Sequence, residues 1–177
     1  MARESNPFLP APDPRFRVLT IDLLASLATD EIGDAIVQHV HLRIGRDTER
    51  DVEIIRALPR GVQAVYATWL VDAEVNNGGF NQFFWNPSGR FAGDALVGYE
   101  LLGAEEYAVV MRAAIATREV ERERMAPFYE AGTVEAFSES YAHTELEEID
   151  QRYYSLGDRI YDIWANAVRD RPELFII

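Results

Sequence analysis

The chain contains no cysteine and no lysine. Without cysteine it can form neither a disulfide nor a thiolate metal site. Without lysine it cannot build the phosphate loop that closes on G-K, and no G-x-G-x-x-G loop is present either. Histidine is scarce, at three residues. His39 and His41 are two apart, which on a helix points them in different directions, and His143 stands alone. No H-E-x-x-H or E-x-x-H pairing suggests a zinc or di-iron centre, so no metal or other cofactor is expected. No G-x-S-x-G elbow marks a serine nucleophile, and nothing singles out a pair of carboxylates for acid–base work. The expectation is a protein that is not an enzyme. Long apolar runs are missing too: none approaches the roughly 20 residues that span a bilayer. The first 14 residues carry charges and four prolines rather than the apolar core of a secretion signal. A cytoplasmic protein with no membrane partner is expected.

What is present is acid. The chain of 177 residues carries 30 Asp and Glu against 17 basic residues, all of them Arg, for a net charge of −13. That balance argues against direct binding to nucleic acid, which needs clustered positive charge, and is compatible with a basic partner. The charge is uneven. Residues 1–90 hold 12 acids and 9 arginines, whereas residues 91–177 hold 18 and 8. Between Arg124 and Arg152 there is no Arg or Lys, yet seven acids occur: Glu130, Glu135, Glu139, Glu145, Glu147, Glu148 and Asp150.

Length and a hydrophobic content of 48% suit one domain with a sizeable core. Residues 1–17 read as a Pro-rich arm and residues 18–177 as a single all-helical domain, an all-α multi-helix bundle. Apolar residues recur at helical spacing between turn signals, and no strand alternation is evident. Gly45 ends one helix, and Thr48 with Asp51 suggests a capping box for the next. Ser88 is placed to cap a helix that Gly103 stops. The alternating charges of Arg118 to Arg124 read as fully solvated, and Pro127 with Gly132 as bracketing a loop. Thr144 with Glu147 reads as a capping box opening one long helix that runs through Ala167. The tail Leu174-Phe175-Ile176-Ile177 is too apolar for water and is expected to dock on this domain or on a second subunit.

The most unusual window is E-V-N-N-G-G-F-N-Q-F-F-W-N-P-S-G, from Glu74 to Gly89. Asn77-Gly78-Gly79 reads as a left-handed helix cap. Phe80, Phe83 and Phe84 then share one face of a short helix closed by Pro87. Glu74, Asn77, Asn81, Gln82 and Asn86 sit among those rings. They fit either a polar pocket or a structural network, since buried amides need partners.

This window, followed by G-D-A-L-V-G-Y-E-L-L-G-A, resembles the signature of the DNA mimic protein 19-like family over roughly residues 50 to 170. The resemblance implies an all-helical fold and, for the best-known type of member, an acidic dimer. That member imitates duplex DNA and occupies the DNA-binding face of a helix-turn-helix transcription factor. It implies that Glu74, Asn77, Gly78, Gly79, Phe80, Gln82, Phe83, Phe84 and Asn86 are fold determinants. Mimicry depends instead on surface acids that the signature does not specify. Carboxylates three or four apart on a helix sit about 5–6 Å apart at Cβ, and B-DNA carries about one charge per 1.7 Å of axis. Rows of acids on adjoining helices can therefore reach a comparable charge density, with Glu145, Glu148, Glu147 and Asp150 best spaced for it. Arg118, Arg122 and Arg124 interrupt any such row at 118–124. Two other functions remain open: an immunity-type protein that neutralises a basic nuclease, and a small-molecule binder or enzyme using Asn77, Gln82 and Asn86.

Overall fold

The computed structural model describes residues 12–45 and 49–176. All regular structure among them is helical. In chain order the α-helices are α1 (Ile21–Ser26), α2 (Thr29–Ile44), α3 (Asp51–Arg56), α4 (Arg60–Trp85), α5 (Ala92–Leu102), α6 (Glu105–Val120), α7 (Arg122–Ala131), α8 (Val134–Ser140), α9 (Leu146–Tyr154) and α10 (Arg159–Asp170). Short 3-10 turns lie at Pro14–Arg17, Pro87–Phe91, Tyr141–His143 and Pro172–Leu174. The expected all-α bundle is what the chain forms.

The bundle is built round α4, which packs against α2, α5 and α9. Val62, Val65, Val71, Val75, Phe80 and Phe83 along it are completely or almost completely buried. Burying each such side chain is worth about 1.5–3 kcal/mol. The crossing with α5 is close because Gly98 lies over α4: a Cβ at Gly98 would come within 3.0 Å of the Ala64 carbonyl oxygen. From the other side Trp164 of α10 donates its indole N–H to the Thr68 hydroxyl at 3.0 Å.

The expected turn at Asn77–Gly79 exists, in a form the sequence does not give. Gly79 does not take the left-handed helical conformation of a cap. It sits at φ 72°, ψ −179°, and Gly78 at φ −159°, ψ 28°. The first of these is a region open essentially to glycine alone. The chain therefore breaks without stopping, and helix resumes at Phe80 in a new direction. The resumed segment has lost its upstream carbonyls. Its first donor, the Phe80 N–H, is taken up by Asp150 of α9 at 2.7 Å.

Several boundaries differ from expectation. The long helix over 146–167 is two, α9 and α10, parted at Ser155–Asp158. There Gly157 has φ 63° and its carbonyl accepts the Tyr107 hydroxyl at 2.8 Å. Thr144 and Glu147 do not form the capping box. The Glu145 N–H at the start of α9 is instead bound by Glu121 at 2.7 Å, and Glu121 also accepts the Thr144 hydroxyl at 2.7 Å. Glu121 is only 3% exposed, so the 118–124 stretch is not fully solvated. Pro127 lies inside α7 rather than in a loop. Ser88 does not cap α5 and points back to Glu74. Thr133 caps α8, accepting the Ala136 N–H at 3.1 Å. The Thr48 cap falls outside the described residues. In the expected arm, Pro14–Arg17 forms a turn whose Phe16 is buried, with its carbonyl on His39 Nδ1 at 2.8 Å. At the other end Phe175 packs over Gly61, so this part of the tail docks on its own chain.

A side chain at position 79 would be strained at that φ, and its Cβ would overlap the Asp150 carboxylate. Gly79→Ala is expected to cost about 3 kcal/mol or more, lowering Tm by roughly 6–12 °C. Gly132 is the control: it has φ 61°, and a Cβ there would meet nothing nearer than 3.8 Å. Gly132→Ala should cost ~1 kcal/mol. Equal shifts for the two in thermal denaturation would contradict this account of the turn.

Candidate interaction surface and the polar turn

The break in α4 brings the two halves of the unusual window face to face. Glu74, one turn before the break, accepts three side chains from beyond it. Gln82 Nε2 and Asn86 Nδ2 both donate to its Oε2 at 2.8 Å, and the Ser88 hydroxyl donates to its Oε1 at 2.9 Å. Asn77 Nδ2 donates to Gln82 Oε1 at 3.0 Å. Four of the five polar residues expected together are together. Asn81 is not among them: it turns to the other side and donates to the Ser140 hydroxyl at 2.8 Å. Ser88 takes its place, a residue whose spacing to the next helix suited a capping role. Phe80 and Phe83 are buried edge-to-face, with Phe84 against both.

A second buried carboxylate was not legible in the sequence. Asp72 accepts Asn76 Nδ2 at 3.0 Å and the hydroxyls of Tyr153 and Tyr161 at 3.0 and 3.1 Å. Among the described residues no cation lies within ion-pair reach of it. Its burial pushes its pKa up, against the pull of those donors. The network ties α4 to α9 and α10. Its only sequence signal is an acid among the apolar residues of a helix.

The seven acids of the Arg-free stretch do not behave alike. Glu130 ends α7, Glu135 and Glu139 lie one turn apart on α8, and Glu147 and Glu148 lie in the first turn of α9; all are exposed. None of these five is in an ion pair among the described residues. Glu145 is exposed and stands 4.0 Å from Arg124. Asp150 is set apart: it is half-buried at the α4 break, where burial, opposed by the Phe80 N–H and reinforced by Glu147, pushes its pKa up to about 6. Nearby, Arg122 pairs with Glu119 and Arg124 with Glu121, while Arg118 lies over the Tyr129 ring. The interruption expected at 118–124 is thus real.

The histidines are dispersed. His39 is in the core, His41 meets the edges of Tyr66 and Trp69, and His143 lies against Phe128. No group of three His, Asp or Glu among the described residues is arranged to hold a metal ion. No helix among them is long and apolar enough to cross a membrane.

Residues 56–171 match the family model described as DMP19-like protein. The chain belongs to that family. The matched span covers the α4 break, Glu74, Asp72 and all seven acids of the Arg-free stretch. No curated protein and no solved structure matches the chain. The span matched by the DMP19-like family model agrees with the region over which the signature resemblance runs.

Asp150 gives this fold a pH signature. Its folded-state pKa lies above the ordinary carboxylate value, so its contribution to stability is full below the unfolded value and is lost as pH rises through about 6. The groups facing it are Glu147, Tyr141 and Tyr154. Asp150→Asn removes the ionisation while an amide oxygen can still accept from Phe80. Relative to that variant, the native chain should lose about 1–3 kcal/mol between roughly pH 4 and 6.5 in chemical denaturation. A difference that stays constant across this range would show that Asp150 ionises as it does in water.

Proposed function

We propose that this DMP19-like protein acts by binding rather than by catalysis, presenting carboxylates in place of DNA phosphates to a basic DNA-binding protein such as a helix-turn-helix transcription factor. The observation that carries this reading is the set Glu130, Glu135, Glu139, Glu147 and Glu148. All five are exposed, and none is neutralised by a neighbouring arginine among the described residues. They lie within a segment that has no Arg or Lys between Arg124 and Arg152. They are also held on helices rather than on a tail, which spares a partner part of the ordering entropy that a disordered acidic segment must lose. Glu145 is exposed as well, 4.0 Å from Arg124. Asp150 contributes by fixing α9 to the α4 break, not by contact.

A mimic of this kind competes with DNA, and the competition weakens with salt because both complexes rest on screened charge. In a gel-shift assay at low salt, the protein should release a helix-turn-helix repressor from its operator. The variant Glu135→Gln/Glu139→Gln/Glu147→Gln/Glu148→Gln should need about ten-fold more protein for the same release. A control neutralising Asp22, Asp30, Glu105 and Glu123, exposed acids elsewhere, changes net charge equally and should need at most two- to three-fold more. Equal losses for the two variants would reduce the effect to net charge. Intact repressor–operator complexes across a panel of candidates would count against mimicry altogether.

A further inference from the structure

Beside the α4 break, where the C-terminal segment of α4 meets the start of α8, lies an open notch of about 320 Å³. Asn77, Trp85 and Asn86 form one wall, and Thr133, Val134 and Phe137 form the other. We propose that this notch receives an arginine side chain of the partner and is the anchor point of the acidic surface; the inference rests on the DNA-mimic reading above.

Three features of the notch call for the same ligand chemistry. The first is the direction of its amides. Glu74 accepts from both Gln82 and Asn86, and a carboxylate fixes the donor end of each amide toward itself. Gln82 must then present its oxygen to Asn77, which donates to it. Each Asn nitrogen spends one N–H inward, while the oxygens Oδ1 of Asn77 and Asn86 have no partner among the described residues. The notch therefore holds two free amide oxygens able to accept from a donor.

The second feature is aromatic. Trp85 is half-buried, with the Phe137 ring at 5.1 Å between centroids. Such rings attract a cation over their faces, and a planar guanidinium best of all. The third is charge: Glu130 and Glu135, both exposed, flank in the chain the residues 132–134 that close the notch. Val134 at its mouth is 74% exposed, an apolar surface for the aliphatic stem of the same side chain. Guanidinium carries five donors and no acceptor on a flat cation, and it meets all three demands.

The test uses the full chain and a small probe. N-acetyl-arginine amide, titrated while the Trp85 indole N–H is followed by NMR, should give a saturable shift with a Kd in the millimolar range, as one exposed side chain can provide. N-acetyl-citrulline amide, uncharged but of the same shape, should bind at least five-fold more weakly. Asn77 is exposed, so Asn77→Leu should leave the fold intact, which its thermal transition checks, and should weaken the arginine probe about ten-fold. Equal binding of the two probes, no saturable shift, or an unchanged Kd in Asn77→Leu would each overturn the proposal. The mimic reading is tested by operator release, so the two can fail apart. A protein that releases operators but ignores the arginine probe keeps its acidic surface and loses this anchor.

Discussion

The structure depends on how one long helix is interrupted. A helix that simply ended at Asn77 would need a loop to bring the aromatic segment back, and one that ran on would carry Phe80 and Phe83 out of the core. The conformations of Gly78 and Gly79 do neither: they turn the chain within two residues. Glycine, lacking a Cβ, adopts the positive φ of Gly79 without the steric cost another residue would meet. Two carboxylates hold the turn. Asp150 binds the first free N–H after the break, and Glu74 reaches across the break to bind Gln82, Asn86 and Ser88. Beyond the break Phe80 and Phe83 are fully buried, which is worth about 1.5–3 kcal/mol each.

The acidic surface is hung on that turn. Helix α9 is fixed at its middle by Asp150, at its start by Glu121, and at its end by Tyr153 on Asp72 and Tyr154 on the Val75 carbonyl. Helix α8 is held through Trp85, Phe137 and Tyr129, and through Ser140 on Asn81. The exposed acids thus have their backbone positions set by buried contacts on the far face of the same short helices. A phosphate-like array requires this, since charges on freely moving segments would average over many spacings.

Helix content, the interruption at Gly78–Gly79 and the family were all legible because each rests on local signals: apolar period, paired glycines, and a run of amides among rings. Distant partners were not. Nothing in the spacing of Glu121 announces that it caps a helix 24 residues on. Thr144 and Glu147 satisfied the local rule for a capping box, but the buried Glu121 carboxylate takes the Thr144 hydroxyl and the Glu145 N–H. Ser88 illustrates the same competition, since its hydroxyl had a nearby helix start to cap and went to Glu74 instead. The break at Ser155–Asp158 was missed because the apolar period on either side stays nearly in phase, and Leu156 within it is half-buried rather than inward. Asp150 and Glu147 looked equivalent by spacing. Only the fold reveals that one faces the α4 break and the other faces water.

The distribution of arginine explains why so much charge stays uncompensated in one stretch of the chain. The carboxylates that hold the fold are satisfied chiefly by neutral donors: Asp72 by two tyrosines and an asparagine, Glu74 by two amides and a serine, Asp150 by a backbone N–H. Only Glu121 adds an arginine, Arg124. Elsewhere arginines pair with acids around α3, α5 and α6, as Arg56 does with Asp94, Arg90 with Asp51 and Arg112 with Glu100. Neutral donors satisfy a buried carboxylate without cancelling its charge, and paired arginines are already spent where they stand. Glu130, Glu135, Glu139, Glu147 and Glu148 therefore keep their charge unpaired among the described residues, while Glu145 stands 4.0 Å from Arg124.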